Sequence, residues 1–301
     1  MKATAVADAT VSQRTNRLRQ YYLLSKPRVT LLVWITTCAG LLTGVLVSGA
    51  SVSPLIVFHA LVGSWFVIAS ANALNQALEH REDGQMARTA NRPVPAGRVS
   101  YDEAVAVGVA WGVIGVLQLA FFVNLLTAFL GALSIALYVG AYTPLKKVTP
   151  LCTGIGAIPG AIPPLAGYTA ATGEITPLAF LLFLVQFFWQ FPHFWAIAWL
   201  NREDYAKAGF LMLPVRNNPE RSTGLLAFVY ALALIPVAAM PALYLHRPVL
   251  YLIGAILLSA WFAAKAYRFA KQPDQSTAKK TLLASVAFLP VWLILLILGA
   301  A

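Results

Sequence analysis

Asn72, Asn75, Glu79 and Asp83 follow one another at spacings of three, four and four residues. On a helix turning about 100° per residue they fall within roughly 80° of each other and make one polar stripe. Two carboxylates and two amide oxygens on one face suit Mg²⁺, which takes oxygen ligands and often sits between carboxylates and a phosphate group. Arg88, Arg92 and Arg98 follow closely, and guanidinium groups suit the phosphate oxygens themselves. A solvated helix end, with the acids paired to Arg81 and Arg88, explains less. Asn72 and Asn75 lie inside an apolar run, where a polar side chain needs a partner. Glu82 is expected to point away from the stripe.

A second cluster lies in "QFFWQFPHFWAIAWLNREDYAKAGFLMLP", residues 186–214. On a continued helix Gln186, His193 and Asp204 share a face, with Gln190 nearby. Pro192 makes that register approximate, and Glu203 lies about 100° from Asp204. Position alone leaves His193 open to a packing or a functional role. His59, His80 and His246 have less to offer, being in an apolar run, off the stripe, and on the opposite side. The seven aromatics from Phe187 to Trp199 are too dense for one face, so most are core or lipid-facing. A third stretch, residues 142–167, holds Lys146 and Lys147 and then a run rich in Gly and Pro. Such backbone within a membrane lines a cavity or packs against protein.

These residues need a scaffold, and the composition supplies one. The chain has 301 residues, 59% hydrophobic and only 11% charged, against about 25% charged in soluble proteins. Its mean hydropathy is +0.72. This is an all-α, polytopic membrane protein. Spans are expected near 29–49, 54–75, 102–122, 125–143, 151–171, 177–199, 222–244, 248–266 and 281–300, nine in all. The charge-free stretches divide at Gly49–Pro54 and near Asn124. Of the 22 Lys and Arg, only Arg247 falls on the other side of the membrane from the rest. That asymmetry sets a cytoplasmic N-terminus. It also makes the net charge of +11 a matter of topology, not of nucleic-acid binding. Residues 1–28 are expected to form a cytoplasmic segment without a secretory signal, and 29–301 a single domain. Cys38 and Cys152 sit in apolar runs as small core residues. Spans 2 and 6 run in the same direction, so both polar clusters reach one membrane surface. Their separation by four helices hints at a parallel repeat.

The pattern AN-x-x-NQ-x-x-E-x-x-x-D-x-x-M-x-RT-x-NRP over Ala71–Pro93 resembles the first signature of the UbiA-type intramembrane prenyltransferases, and within them the haem O synthases. "YTPLKKVTP", "GAIPGAIPPLAGYTAATG" and "WQFPHFWAIAWLNREDYAKAGFLMLPV" resemble the same family in the same order, covering roughly residues 20–300. The resemblance implies nine helices around a central cavity. It implies farnesyl diphosphate and haem b as substrates, Mg²⁺ as cofactor, and haem O and diphosphate as products. It places Mg²⁺ on Asn75, Glu79, Asp83 and Asp204, and the diphosphate on Arg88, Arg92, Lys146 and Arg202. Glu203 belongs to the catalytic group, and His193 contacts the haem. A bacterial inner membrane, terminal-oxidase haem supply and a partnership with haem A synthase are implied too. A mitochondrial inner membrane fits less well, since Asp8 spoils a presequence. The family's first motif usually reads Asn-Asp-x-x-Asp-x-x-x-Asp. Here Gln76 follows Asn75 and Glu79 replaces an aspartate, and the second motif is reduced to Glu203-Asp204. Oxygen ligands survive both changes. The competing readings are a prenyltransferase for a quinone-ring precursor, and a transporter or haem-assembly protein. A transporter places its ionisable residues near mid-membrane, whereas these lie at one surface.

Overall fold

The chain changes direction where its sequence supplies caps. Our computed structural model of it describes residues 16–215 and 219–301. Lys2, Arg14 and Arg216, three of the bases behind the expected orientation, lie outside the described residues. Helix α1 (16–24) precedes α2 (Pro27–Ser48). Gly49 ends α2 in the left-handed region, at φ 65°, and its N–H closes on Val45 O at 3.0 Å. Ser53 then caps α3 (Pro54–Leu78) by accepting from Ile56 N. After the short α4 (His80–Gln85), Ser100 caps α5 (Tyr101–Phe122), and Asn124 caps α6 (Leu125–Ile135). Both expected divisions of the charge-free stretches therefore hold.

Helix α6 runs on through a π-helical stretch, Ala136–Tyr142, into α7 (Thr143–Leu145). The remaining helices are α8 (Cys152–Thr172), α9 (Pro177–Leu200), α10 (Arg202–Lys207), α11 (Pro219–Ala239), α12 (Pro248–Lys271) and α13 (Gln275–Ala300). No strand occurs among the described residues. Helices α2, α3, α5, α6 and α8 pack as one group, and α9, α11, α12 and α13 as another, joined through α8–α9 and α2–α13.

Among the described residues eight helices are long and apolar enough to cross a membrane, where the sequence led us to expect nine spans. The odd one out is α8. It has 21 residues but holds Pro159, Pro163, Pro164 and several glycines, and most of it is buried. A helix enclosed by other helices has no need of a lipid-compatible surface. Pro163 cannot donate to Pro159 O, and Ser134 Oγ reaches that freed carbonyl at 3.3 Å.

Glycine lets α2 and α8 touch backbone to backbone. A methyl group on Gly167 would lie 1.9 Å from Thr37 O, and one on Gly40 would lie 2.0 Å from Pro164 O. Neither carbonyl can yield without moving a helix. Gly167→Ala is expected to destabilise the protein by about 3 kcal/mol, the upper end of ordinary overpacking. Gly154→Ala, which meets nothing within 4 Å, is the control. Thermal unfolding in detergent checks the pair, and equal midpoints would contradict the close approach.

Candidate active site

Helix α3 stops at Leu78 and does not run straight on to Asp83. Glu79 breaks it, at φ −94° and ψ 12°, and α4 starts at His80. The stripe survives because Asp83 N still donates to Glu79 O, at 2.7 Å. Asn75, Glu79 and Asp83 are all buried, at 1%, 5% and 1% exposure.

A buried carboxylate must be paired, and each pairs with a base from elsewhere in the chain. Lys146 Nζ lies 2.6 Å from Glu79 Oε1, and Arg92 Nη1 lies 2.5 Å from Asp83 Oδ2. Lys26 Nζ donates to Asn75 Oδ1 at 2.7 Å, while Asn75 Nδ2 donates to Thr143 Oγ1 at 3.1 Å. Asn72 reaches Thr30 Oγ1 on α2 at 2.9 Å. The π-helical stretch before α7 sets Thr143 and Lys146 at this point, and such stretches are frequent at functional sites.

The sequence reading did not single out Lys26. It is the one described non-glycine residue in the left-handed region, at φ 49°, directly before Pro27. Burial, and then the nearby charges of Arg92 and Lys146, push its ammonium down to about 7. The one signal in the sequence was a lysine set against proline where the chain enters the membrane.

Glu82 is buried as well, and Lys147 pairs with its Oε1. The break at Glu79 turns α4 so that the face opposite the stripe also meets the chain after α7. Its Oε2 has no hydrogen-bond partner.

The second cluster repeats the first in form. Helix α9 ends at Leu200, Asn201 breaks it at φ −116° and ψ 22°, and the six-residue α10 follows, as α4 follows α3. The helix expected to continue to Asp204 is therefore interrupted at Asn201, although Tyr205 N still donates to Asn201 O at 3.0 Å. Glu203 is exposed and Asp204 half-buried. No three His, Cys, Asp or Glu side chains among the described residues are gathered closely enough to hold a metal. Asp204 is thus not brought to Glu79 and Asp83. Arg202 stays on its own segment, over the Trp199 ring and donating to Trp199 O.

Other residues join the clusters instead. Tyr205 OH accepts from Arg88 Nη2 at 3.0 Å, with the guanidinium 5.1 Å from the ring centre. Lys146 Nζ lies 4.5 Å from the Tyr142 ring and 5.6 Å from that of Phe210, and Leu211 N donates to Lys146 O. Met86, Cys152, Phe210 and Met212 pack beneath as a small core. Arg98 holds Gln20 Oε1 and Asn91 O, a structural task. His193 lies away from the acids, against Ser285 of α13. Gln190 binds Ala157 O of α8, and Trp189, Phe191, Trp195 and Trp199 are core.

The donor set fits a hard cation facing an anion. Each stripe carboxylate spends one oxygen on its base, leaving Glu79 Oε2 and Asp83 Oδ1 without a partner among the described residues. Lys26, Lys146 and Arg92 meet a stripe with two acids, an excess of positive charge that favours a phosphate group.

A helical bundle with a buried acid–base network at its base-rich end defines an intramembrane enzyme for an anionic substrate. Residues 33–296 match the UbiA prenyltransferase family, and the chain belongs to it. Among relatives in sequence, a protoheme IX farnesyltransferase of Solibacter usitatus is 41% identical over 91% of this chain and 96% of its own length. One from Koribacter versatilis is 40% identical over 91% of each chain. In structure, digeranylgeranylglyceryl phosphate synthase superposes with a TM-score of 0.77 over 94% of this chain and 98% of its own, at 18% identity. A UbiA homologue of Archaeoglobus fulgidus bound to GPP and Mg²⁺ gives 0.62 over 92% and 99%, at 17% identity. At those identities the two structures speak for the fold alone.

Proposed function

We propose that this chain transfers the farnesyl group of farnesyl diphosphate to a vinyl group of haem b. The observation that carries the reading is the buried network of Asn75, Glu79 and Asp83 with Lys26, Lys146 and Arg92. The names of the relatives at 36–41% identity supply the donor and acceptor.

Glu79 Oε2, Asp83 Oδ1 and Asn75 Oδ1 would hold Mg²⁺, which neutralises a diphosphate when bound. Asp204 completes that set only if α10 moves inward. Lys146, Arg92 and Arg88 bind the diphosphate oxygens, and Arg202 and Glu203 stand at the rim. Lys26 gives up Asn75 and becomes fully protonated beside the incoming anion. With its charge balanced, the diphosphate takes the electron pair of the allylic C–O bond. The enclosed site keeps water from the cation. The terminal farnesyl carbon bonds to the haem vinyl carbon, water supplies the hydroxyl oxygen, and one proton leaves. The product is haem O, and His193 contacts the haem.

The base-rich end faces the cytoplasm of a bacterial inner membrane, and haem A synthase is the partner that consumes the product. Cysteines at Ser100 and Ser222 should resist an impermeant reagent in intact cells; labelling of both reverses the orientation. The function is tested with membranes carrying the protein, farnesyl diphosphate, haem b and Mg²⁺. Extracted pigment should contain a farnesylated haem that chelation abolishes. Its absence, with prenylation of a quinone-ring precursor instead, overturns the acceptor.

A further inference from the structure

Helix α9 carries Trp189 and His193 one turn apart, and α13 sets Ser285 against both. Trp189 Nε1 donates to Ser285 O at 2.8 Å. His193 Nδ1 lies 2.8 Å from Ser285 Oγ. The imidazole also stacks on the indole, with centroids 4.8 Å apart and planes 23° apart. The acid–base network makes no use of these three side chains.

Their hydrogen bonds fix a tautomer. A serine hydroxyl has one proton and two lone pairs. Ser285 Oγ lies 2.6 Å from Leu282 O. Two oxygens repel at that distance unless a proton lies between them, and a carbonyl has none to give. The hydroxyl proton therefore goes to Leu282, and Oγ meets His193 with a lone pair. Nδ1 must supply the hydrogen for that contact. A neutral imidazole carries a single N–H, so Nε2 is bare. It has no partner among the described residues, and His193 is half-buried, so the lone pair is available.

We infer that Ser285 and Trp189 are positioning residues that hold His193 as the Nδ1–H tautomer and present Nε2 to the iron of the haem substrate. This rests on the proposed haem acceptor. Imidazole binds metals through a deprotonated nitrogen, while the other ring nitrogen donates to an oxygen that sets tautomer and orientation. A carboxylate commonly fills that role in soluble proteins, but an anion at this depth in a membrane is costly. A hydroxyl whose own proton is tied to the main chain accepts without bearing charge. Stacking on Trp189 keeps the ring from turning over.

The test is a haem b titration of the detergent-solubilised full chain, read as the Soret band and the Kd. Wild type and Ser285→Thr, which keeps the hydroxyl, should show the same imidazole-ligated spectrum. Ser285→Ala should weaken binding by about 10- to 100-fold, the usual effect of losing a partner of a ligating histidine, and blunt the Soret shift. His193→Ala should lose the shift, and added imidazole should restore it. Ser285→Cys, close in size but a poor acceptor, covers the case in which alanine does not fold, and should show the same loss. Wild-type spectra and affinity in Ser285→Ala or Ser285→Cys overturn the positioning role. A wild-type spectrum in His193→Ala overturns the ligand. A wild-type chain that binds no haem yet prenylates a quinone-ring acceptor overturns the haem reading instead, and this inference with it.

Discussion

Asp83→Ala and Glu79→Ala are each expected to lower the rate of prenyl transfer by roughly 10²-fold or more, the scale of removing one preorganised electrostatic group from an active site. Each substitution deletes a buried carboxylate with a spare oxygen, and each strands a base: Arg92 for Asp83, Lys146 for Glu79. The excess of positive charge then holds the diphosphate by charge alone, without the fixed geometry that in-line departure needs. The comparison variant is Glu82→Gln. Its carboxylate meets Lys147, whose side chain is 50% exposed, and it takes no part in the network around Asn75. It should stay within about tenfold of wild type, since neither Glu82 nor Lys147 bonds to Asn75, Glu79 or Asp83. Because Glu82 is buried, glutamine is preferred to alanine, which would leave a cavity. Turnover at saturating Mg²⁺ in membranes with matched protein levels decides the matter. A dead Glu82→Gln beside an active Asp83→Ala would move the site to the other face of α4.

Lys146→Met should show the largest stability effect among the site variants. Removing one partner of a buried ion pair leaves the other charge uncompensated, at a cost of about 3–5 kcal/mol. Lys146 and Glu79 side chains are 13% and 6% exposed, so water can do little to replace the lost lysine. Arginine should rescue poorly, because the ammonium sits between the Tyr142 and Phe210 rings. The double variant Glu79→Gln/Lys146→Met removes both charges and should recover most of the stability, while activity stays lost. Unfolding midpoints in detergent for the two single variants and the double form the cycle. If Lys146→Met alone unfolds like wild type, the pair is not buried in the working protein.

The sequence by itself determined the membrane class, the places where the chain turns, and the chemistry of the first cluster. Apolar run lengths are set by bilayer thickness, and caps such as Gly49, Ser53 and Asn124 act on their immediate neighbours, so both are legible without a fold. The Asn75–Glu79–Asp83 stripe is likewise a local periodicity, and it outlasted the break at Glu79 because one i→i+4 hydrogen bond persists there. Helix α8 was harder to judge, since burial among other helices, and not apolarity, lets it lie where it does.

Only the tertiary structure decided who meets whom. Lys26 is 49 residues from Asn75, Lys146 is 67 from Glu79, and Ser285 is 92 from His193. No periodicity links such positions, because their distance depends on how separate helices pack. The structure also buried Glu82 against Lys147, and it gathered no third acid beside Glu79 and Asp83 among the described residues, although the family resemblance had grouped Asp204 with them. Each short helix follows a single-residue break, at Glu79 or Asn201, and what it meets depends on how the bundle packs around it. A helical wheel reads one element at a time and does not say which other helix a face will meet.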